Sequence, residues 1–176
     1  MKLINSKTQQ NLITAFLRES GAFNEYTFYA MQAKKDGYEQ IYKTFTQFAT
    51  NEQAHASIWF KLYHGIAGTK DNLISSAELE NFERTELYNQ FAKTAREEGF
   101  EDIAVLFEGV AEIEKQHEQV YLQLAKKLEK DEFFVSSKQT SWQCLNCGHI
   151  HKGCVPPETC PICSHPKAYF TIKQGE

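Results

Sequence analysis

The sequence predicts a mainly α protein, a four-helix bundle followed by a small C-terminal domain of short strands and cysteine knuckles. Three observations carry that expectation. From about residue 8 to residue 130 the apolar positions keep a helical spacing. Within that span a helical hairpin occurs twice. All five cysteines then fall between Cys144 and Cys163, where the helical period is gone.

The first helix has an apolar seam of Leu12, Phe16, Glu19, Phe23, Tyr26, Ala30 and Ala33, with a single glutamate in apolar company. "KKDGYEQ" (Lys34 to Gln40) puts one glycine between two helical patterns, the mark of a tight antiparallel connection. The second helix carries the seam Ile41, Phe45, Phe48, Glu52, His55, Trp59 and Leu62. Adding 62 to each number gives the fourth helix: Ile103, Phe107, Val110, Glu114, His117, Tyr121 and Leu124. The turns repeat as well, "DGYEQI" against "EGFEDI", so the repeating unit is the hairpin and the expected product is a bundle with an approximate two-fold axis. Between the hairpins, "HGIAGTKDNLIS" (His64 to Ser75) reads as a breaker-rich link of 12 residues, reaching about 40 Å when extended. Such a link either runs along one bundle or hands the second hairpin to a neighbour in a swapped dimer.

The third helix departs from the repeat. Glu80 matches Glu19 at an offset of 61, but Ala92 matches Ala30 at 62. One extra residue between Glu80 and Ala92 predicts a π-bulge there, a feature often found at functional sites. A second carboxylate, Glu83, lies one turn after Glu80. "DEFFVSSKQTS" (Asp131 to Ser141) ends the helical period, which places the expected domain boundary near residue 136: a bundle over 1–135 and a cysteine domain over 136–176.

Composition excludes several classes of function. The formal charge of −4 includes no run of five like charges, no basic stripe for nucleic acid and no polybasic membrane patch. No apolar run approaches the roughly 18 residues of a membrane span. "MKLINSKTQQ" has no apolar signal core, so a cytosolic protein is expected. Without Glu19, Glu52, Glu80, Glu83 and Glu114, the remaining acidic residues nearly balance the 19 basic ones, and the net acidity says nothing about cationic partners.

The seam carboxylates and imidazoles pose a chemical problem, because burying either kind of group without a partner costs several kcal/mol. A lone Glu-x-x-His is a weak signal, commonly a hydrogen-bonded core histidine. Here Glu52-x-x-His55 and Glu114-x-x-His117 occupy corresponding seam positions, and each remaining helix adds one glutamate, Glu19 and Glu80. One Glu from each of two helices and Glu-x-x-His from each of the other two is the di-iron or di-manganese carboxylate pattern. Two divalent ions bring four positive charges that carboxylates balance and bridge, and imidazole adds a neutral ligand suited to iron. Tyr26 and Tyr88, two turns beyond Glu19 and Glu80, are placed either to pack or to hydrogen-bond to such ligands.

"CLNCGHIHKGCVPPETCPIC" pairs Cys144-x-x-Cys147 with Cys160-x-x-Cys163, a tetrahedral thiolate site for zinc or iron. Crowding and the odd count argue against a disulfide framework. Gly148 suits a knuckle turn, whereas Ser164, at the matching place, accepts a left-handed backbone less readily. Cys154 is expected to be a bystander, and His149, His151 and His165 to be exposed rather than ligating.

The stretches "RESGAFNEYTFYA", "NEQAH", "ELENFERTELY", "EIEKQHEQVYLQLAKKLE" and "WQCLNCGHIHKG…CPICSHPKAYF" resemble the rubrerythrins over nearly the whole chain. The resemblance implies a ferritin-like di-iron bundle and a rubredoxin-like mononuclear Fe(Cys)4 domain. It also implies reduction of hydrogen peroxide to water, with electrons from a separate rubredoxin or an NADH-dependent flavoprotein. By the same resemblance Glu19, Glu52, Glu80, Glu83, Glu114 and His117 ligate the oxidised pair, and His55 replaces Glu83 on one iron upon reduction. A homodimer is expected. A ferritin-like bundle also suggests a ferroxidase or iron-handling protein, against which a dedicated electron inlet argues. A zinc-ribbon interaction module on a helical scaffold leaves the seam carboxylates unexplained.

Overall fold

The computed structural model describes residues 3–173 and divides into two compact units, Met1–Ala67 and Gly68–Glu176. The fold is a mainly α, ferritin-like four-helix architecture with a small C-terminal sheet. The first unit is a hairpin of α1 (Lys7–Lys35) and α2 (Glu39–Tyr63). Ser6 caps α1 by accepting a hydrogen bond from the Gln9 amide. Gly37 makes the turn at φ 84°, and behind it the Tyr38 amide donates to the Ala33 carbonyl at 2.9 Å.

The second unit contains α3 (Thr69–Phe82), a π-helical turn (Glu83–Leu87), α4 (Tyr88–Glu97) and α5 (Glu101–Glu129). Gly99, at φ 86°, repeats the geometry of Gly37, with the Phe100 amide donating to the Ala95 carbonyl at 2.7 Å. The duplicated turn sequences therefore fold into duplicated turns. Arg96 braces this corner: its fork donates to both carboxylate oxygens of Glu108, at 2.6 and 2.8 Å, and its Nε donates to Glu101. The π-turn lies inside the window predicted from the change of offset.

Two expectations need correction. The link between the hairpins is not 12 residues long. The helix α3 starts at Thr69, so only His64–Gly68 separates it from α2. The breakers Gly65 and Gly68 lie at the start of the stretch, and Asp71 in the first turn of α3 favours its N-terminus. The large seam residues are also less buried within each unit than the periodicity suggests. The residues buried in the helices are alanines: Ala30, Ala33, Ala49 and Ala56 in the first unit, and Ala77, Ala92, Ala95, Ala104, Ala111 and Ala125 in the second. Small side chains let paired helices approach closely, and the larger seam residues flank that contact.

Beyond α5 the chain forms a three-stranded antiparallel sheet in the order β2 (Ile150–Gly153), β1 (Thr140–Cys144), β3 (Phe170–Ile172). Trp142, Cys144, Cys160 and Phe170 form its core, with Phe134 packed against them. The Trp142 indole donates to the Gly153 carbonyl at 3.1 Å. Among the described residues no helix is long and apolar enough to cross a membrane.

Candidate metal centres

Each unit carries one Glu/Glu/His trio. In the first, α1 supplies Glu19 and α2 supplies Glu52 and His55; in the second, α3 supplies Glu80 and α5 supplies Glu114 and His117. Within each trio, one donor atom from each residue lies within 4.8 Å of the others. The i, i+3 spacing works as expected on a helix face. His55 Nδ1 sits 2.9 Å from Glu52 Oε2, and His117 Nδ1 sits 2.7 Å from Glu114 Oε2 and 3.8 Å from Glu80 Oε1. The same ring nitrogen faces the carboxylates in both repeats.

Electrostatics support a cation in the second trio. The Glu80 carboxyl is pushed above its ordinary range by burial, then by a hydrogen bond with Glu114 and its charge, while His117 opposes the shift. A half-buried carboxyl raised by burial and by the carboxylate beside it fits a place for a divalent ion. Tyr88 stacks on Phe107, and burial followed by the charges of Glu83, Glu114 and Glu80 raises its phenol. Tyr26 lies against Phe45. Glu83 opens the π-turn and stands outside the trio of Glu80, Glu114 and His117.

A network that sequence reasoning missed holds the π-turn against α5. Asn81 donates to Glu118 Oε1 at 2.9 Å, and Arg84 contacts Glu118 Oε2 at 3.2 Å, so both oxygens of Glu118 are engaged. Glu118 follows His117 directly, but no spacing rule marks it as an inter-helix partner.

The cysteine cluster is formed by the four predicted thiols. Cys144 Sγ and Cys163 Sγ are 3.7 Å apart, as are Cys147 Sγ and Cys160 Sγ. A disulfide needs about 2.05 Å. A tetrahedron of sulfurs about 2.3 Å from a central metal has edges of about 3.8 Å. The spacing fits a metal. In each knuckle a cysteine amide donates across the turn, Cys144 to the His149 carbonyl and Cys160 to the His165 carbonyl, both at 2.8 Å. Gly148 and Ser164 occupy the left-handed turn positions at φ 77° and 58°. The His165 backbone amide, then the Asn146 side chain and neighbouring thiols, outweigh burial and pull the Cys163 thiol down to about 5. At Cys147 the His149 backbone amide lowers the thiol, but Cys163, burial, Cys160 and Cys144 prevail and push it up to about 12. Opposite shifts on two thiols of one crowded cluster suit a site that holds a cation.

The histidine expectation is corrected: His149, His151 and His165 are half-buried. The backbones of His149 and His165 close the knuckles, and the His165 ring packs on Tyr169. Cys154 is exposed and lies outside the cluster.

The model of the family described as Rubrerythrin matches residues 10–124 and 73–147, and that of its rubredoxin-like domain matches residues 142–171. The rubrerythrin of Nitratidesulfovibrio vulgaris is 42% identical, over 97% of this chain and 96% of its own length. Rubrerythrin-1 of Clostridium acetobutylicum is 43% identical over the same shares. The rubrerythrin of Porphyromonas gingivalis is 42% identical over 94% of this chain and 89% of its own. The two carboxylate trios suit a pair of irons and the four thiols a single iron. By sequence and by donor set, this chain belongs to the rubrerythrin family, the di-iron oxidoreductases of oxidative-stress defence.

Proposed function

We propose that the protein is a cytosolic, homodimeric non-haem di-iron peroxidase that reduces hydrogen peroxide to water. Its electrons enter through the thiolate iron from a rubredoxin or an NADH-dependent flavoprotein. The observation that carries this reading is the presence, in one chain, of two matched Glu/Glu/His trios and a four-thiol cluster. Glu19, Glu52, Glu80, Glu114 and His117 would hold the iron pair, with Glu83 and His55 as the alternative ligands of one iron in its oxidised and reduced states. Cys144, Cys147, Cys160 and Cys163 hold the third. The working division is a bundle over 1–135 and an electron-transfer domain over 136–176.

When bound, a carboxylate iron pair supplies two-electron chemistry and a thiolate iron supplies single electrons. Reducing one peroxide to two waters breaks the O–O bond and consumes two electrons and two protons. The chain's own residues orient the donors and manage protons. The Glu52–His55 and Glu114–His117 contacts fix the rings with Nδ1 toward the carboxylates. Tyr88 keeps its proton on Oη, because burial and three nearby carboxylates disfavour the phenolate. A neutral phenol beside the trio is a hydrogen-bond donor at neutral pH.

The test compares peroxide and dioxygen consumption by iron-loaded protein under steady reduction by an NADH-linked donor. We expect peroxide to be consumed much faster. Faster dioxygen consumption with ferrous ion as the sole reductant, accompanied by accumulation of ferric mineral, would identify an iron-storage ferroxidase instead.

A further inference from the structure

Glu83 is a ligand candidate that stands outside both trios, half-buried at the head of the π-turn. After burial, its charge is the strongest influence on the Tyr88 phenol, ahead of Glu114 and Glu80. Its carboxylate therefore lies on the side of the helix that carries the trio. The backbone that aims it is widened, with the Tyr88 amide donating to the Glu83 carbonyl five residues back. Side chains secure that turn. Thr85 Oγ1 donates to the Asn81 carbonyl at 2.7 Å, and Asn89 Nδ2 donates to the Thr85 carbonyl at 3.0 Å. Across to α5, the residues two before and one after Glu83 grip a single carboxylate. Asn81 Nδ2 donates to Glu118 Oε1 at 2.9 Å, and Arg84 reaches Glu118 Oε2 through Nε at 3.3 Å and a terminal nitrogen at 3.2 Å. The Glu118 and Arg84 side chains are 17% and 29% exposed, so water screens this pair less than the exposed ion pairs of the helices.

The first repeat shows that a helical hairpin does not need this grip. Ala56 stands at the repeat position of Glu118, and Ser20 at that of Asn81. With Phe16, Phe23 and Phe60 they line an apolar groove in place of the ion pair. Ala22 stands where the second repeat has Glu83, and α1 runs as a regular α-helix from Lys7 to Lys35. The grip, the widened turn and the extra carboxylate are thus present together in one repeat and absent together from the other.

We propose that Glu118 is a positioning residue for Glu83. Through Asn81 and Arg84 it fixes the turn that aims Glu83 at the iron pair, and so sets how well Glu83 competes with His55 for the oxidised pair. The inference rests on the proposed iron pair and deepens it by naming what controls its exchange of ligands.

Anaerobic redox titration of iron-loaded protein, followed by the exchange-coupled diferric Mössbauer signal, tests the link. Glu118→Gln and Arg84→Met should each weaken the hold on the ferric pair about tenfold relative to the ferrous pair, the low end for a residue that orients a ligand. For a two-electron couple that raises the midpoint by about 30 mV. In a Glu83→Ala background the midpoint should no longer respond to Glu118→Gln, because the residue through which Glu118 acts is gone. Arg96→Met, which removes the fork on Glu108 between the same two helices, should lower the melting temperature and leave the midpoint in place. An unmoved midpoint in Glu118→Gln and Arg84→Met overturns the proposal. So does an undiminished response to Glu118→Gln without Glu83, or an equal shift in Arg96→Met, since either would reduce Glu118 to a general brace. Arg84→Met carries the test should Glu118→Gln fail to fold. Wild-type protein without a coupled pair would sink the iron-pair reading itself, and this proposal with it.

Discussion

Ser164 shows how a single backbone angle follows from chemistry around it. Its amide donates to the Cys160 carbonyl at 2.9 Å, as the Gly148 amide does to Cys144, and closing that turn requires a left-handed residue. At φ 58° a serine side chain crowds its own backbone, whereas glycine does not. Replacing Ser164 with Gly should therefore stabilise the cysteine domain by about 0.5–1 kcal/mol, after allowing for glycine's greater freedom in the unfolded chain. The measurement is the guanidinium midpoint for loss of thiolate-to-metal absorption, which should rise. An unchanged or lower midpoint would mean that the serine side chain contributes something the turn geometry does not reveal.

At the scale of an element, the π-turn reconciles two requirements on the third helix. Glu80 has to face α5 to meet Glu114 and His117, and Ala92 and Ala95 have to face α5 to pack with Ala104. A regular helix with this spacing would rotate one group about 100° out of place. The extra residue absorbs that rotation, and the Asn81–Glu118–Arg84 network holds the widened turn against α5. Deleting Thr85, an exposed residue inside the turn, should restore regular α-helical bonding. The α4–α5 contact holds its register through buried alanines and the Arg96 fork, so the deletion should rotate Glu80 away from its trio. The expected result is unchanged helicity by circular dichroism and the loss of one bundle metal per chain by metal analysis. Retention of both bundle metals would show that the π-turn is unnecessary for ligand placement.

Over the whole molecule, the helices and the cysteine domain rest on different cores, which predicts separable failures. Cys160 is packed with Trp142, Cys144 and Phe170, apart from the alanine contacts of the helices. In iron-loaded Cys160→Ser protein the thiolate iron should be lost and the bundle should remain folded. Chemically reduced, it should still consume peroxide once in rapid mixing, but turnover with a protein donor should collapse. In Glu114→Ala protein the thiolate iron should remain reducible, while the rapid peroxide step should fall by about 100-fold or more. Full donor-driven turnover in Cys160→Ser would remove the cysteine domain from the electron path.

The sequence alone determined the features that repeat along one helix or one knuckle. The spacing of seam residues identified both Glu-x-x-His pairs and their lone glutamate partners. A one-residue slip against the repeat located the π-turn, and two Cys-x-x-Cys pairs identified the thiolate cluster. Each is set by backbone geometry over a few residues, so periodicity reveals it. The start of α3 was not legible, because glycines at one end of the His64–Ser75 stretch resembled a longer loop, while α3's pairing with α5 extends the helix to Thr69. The bracing by Glu118 and Arg96, the half-burial of the knuckle histidines and the burial of alanines beneath the larger seam residues were decided only by tertiary structure. They depend on which side chains meet across elements distant in sequence, and a spacing pattern read along one helix does not encode those meetings.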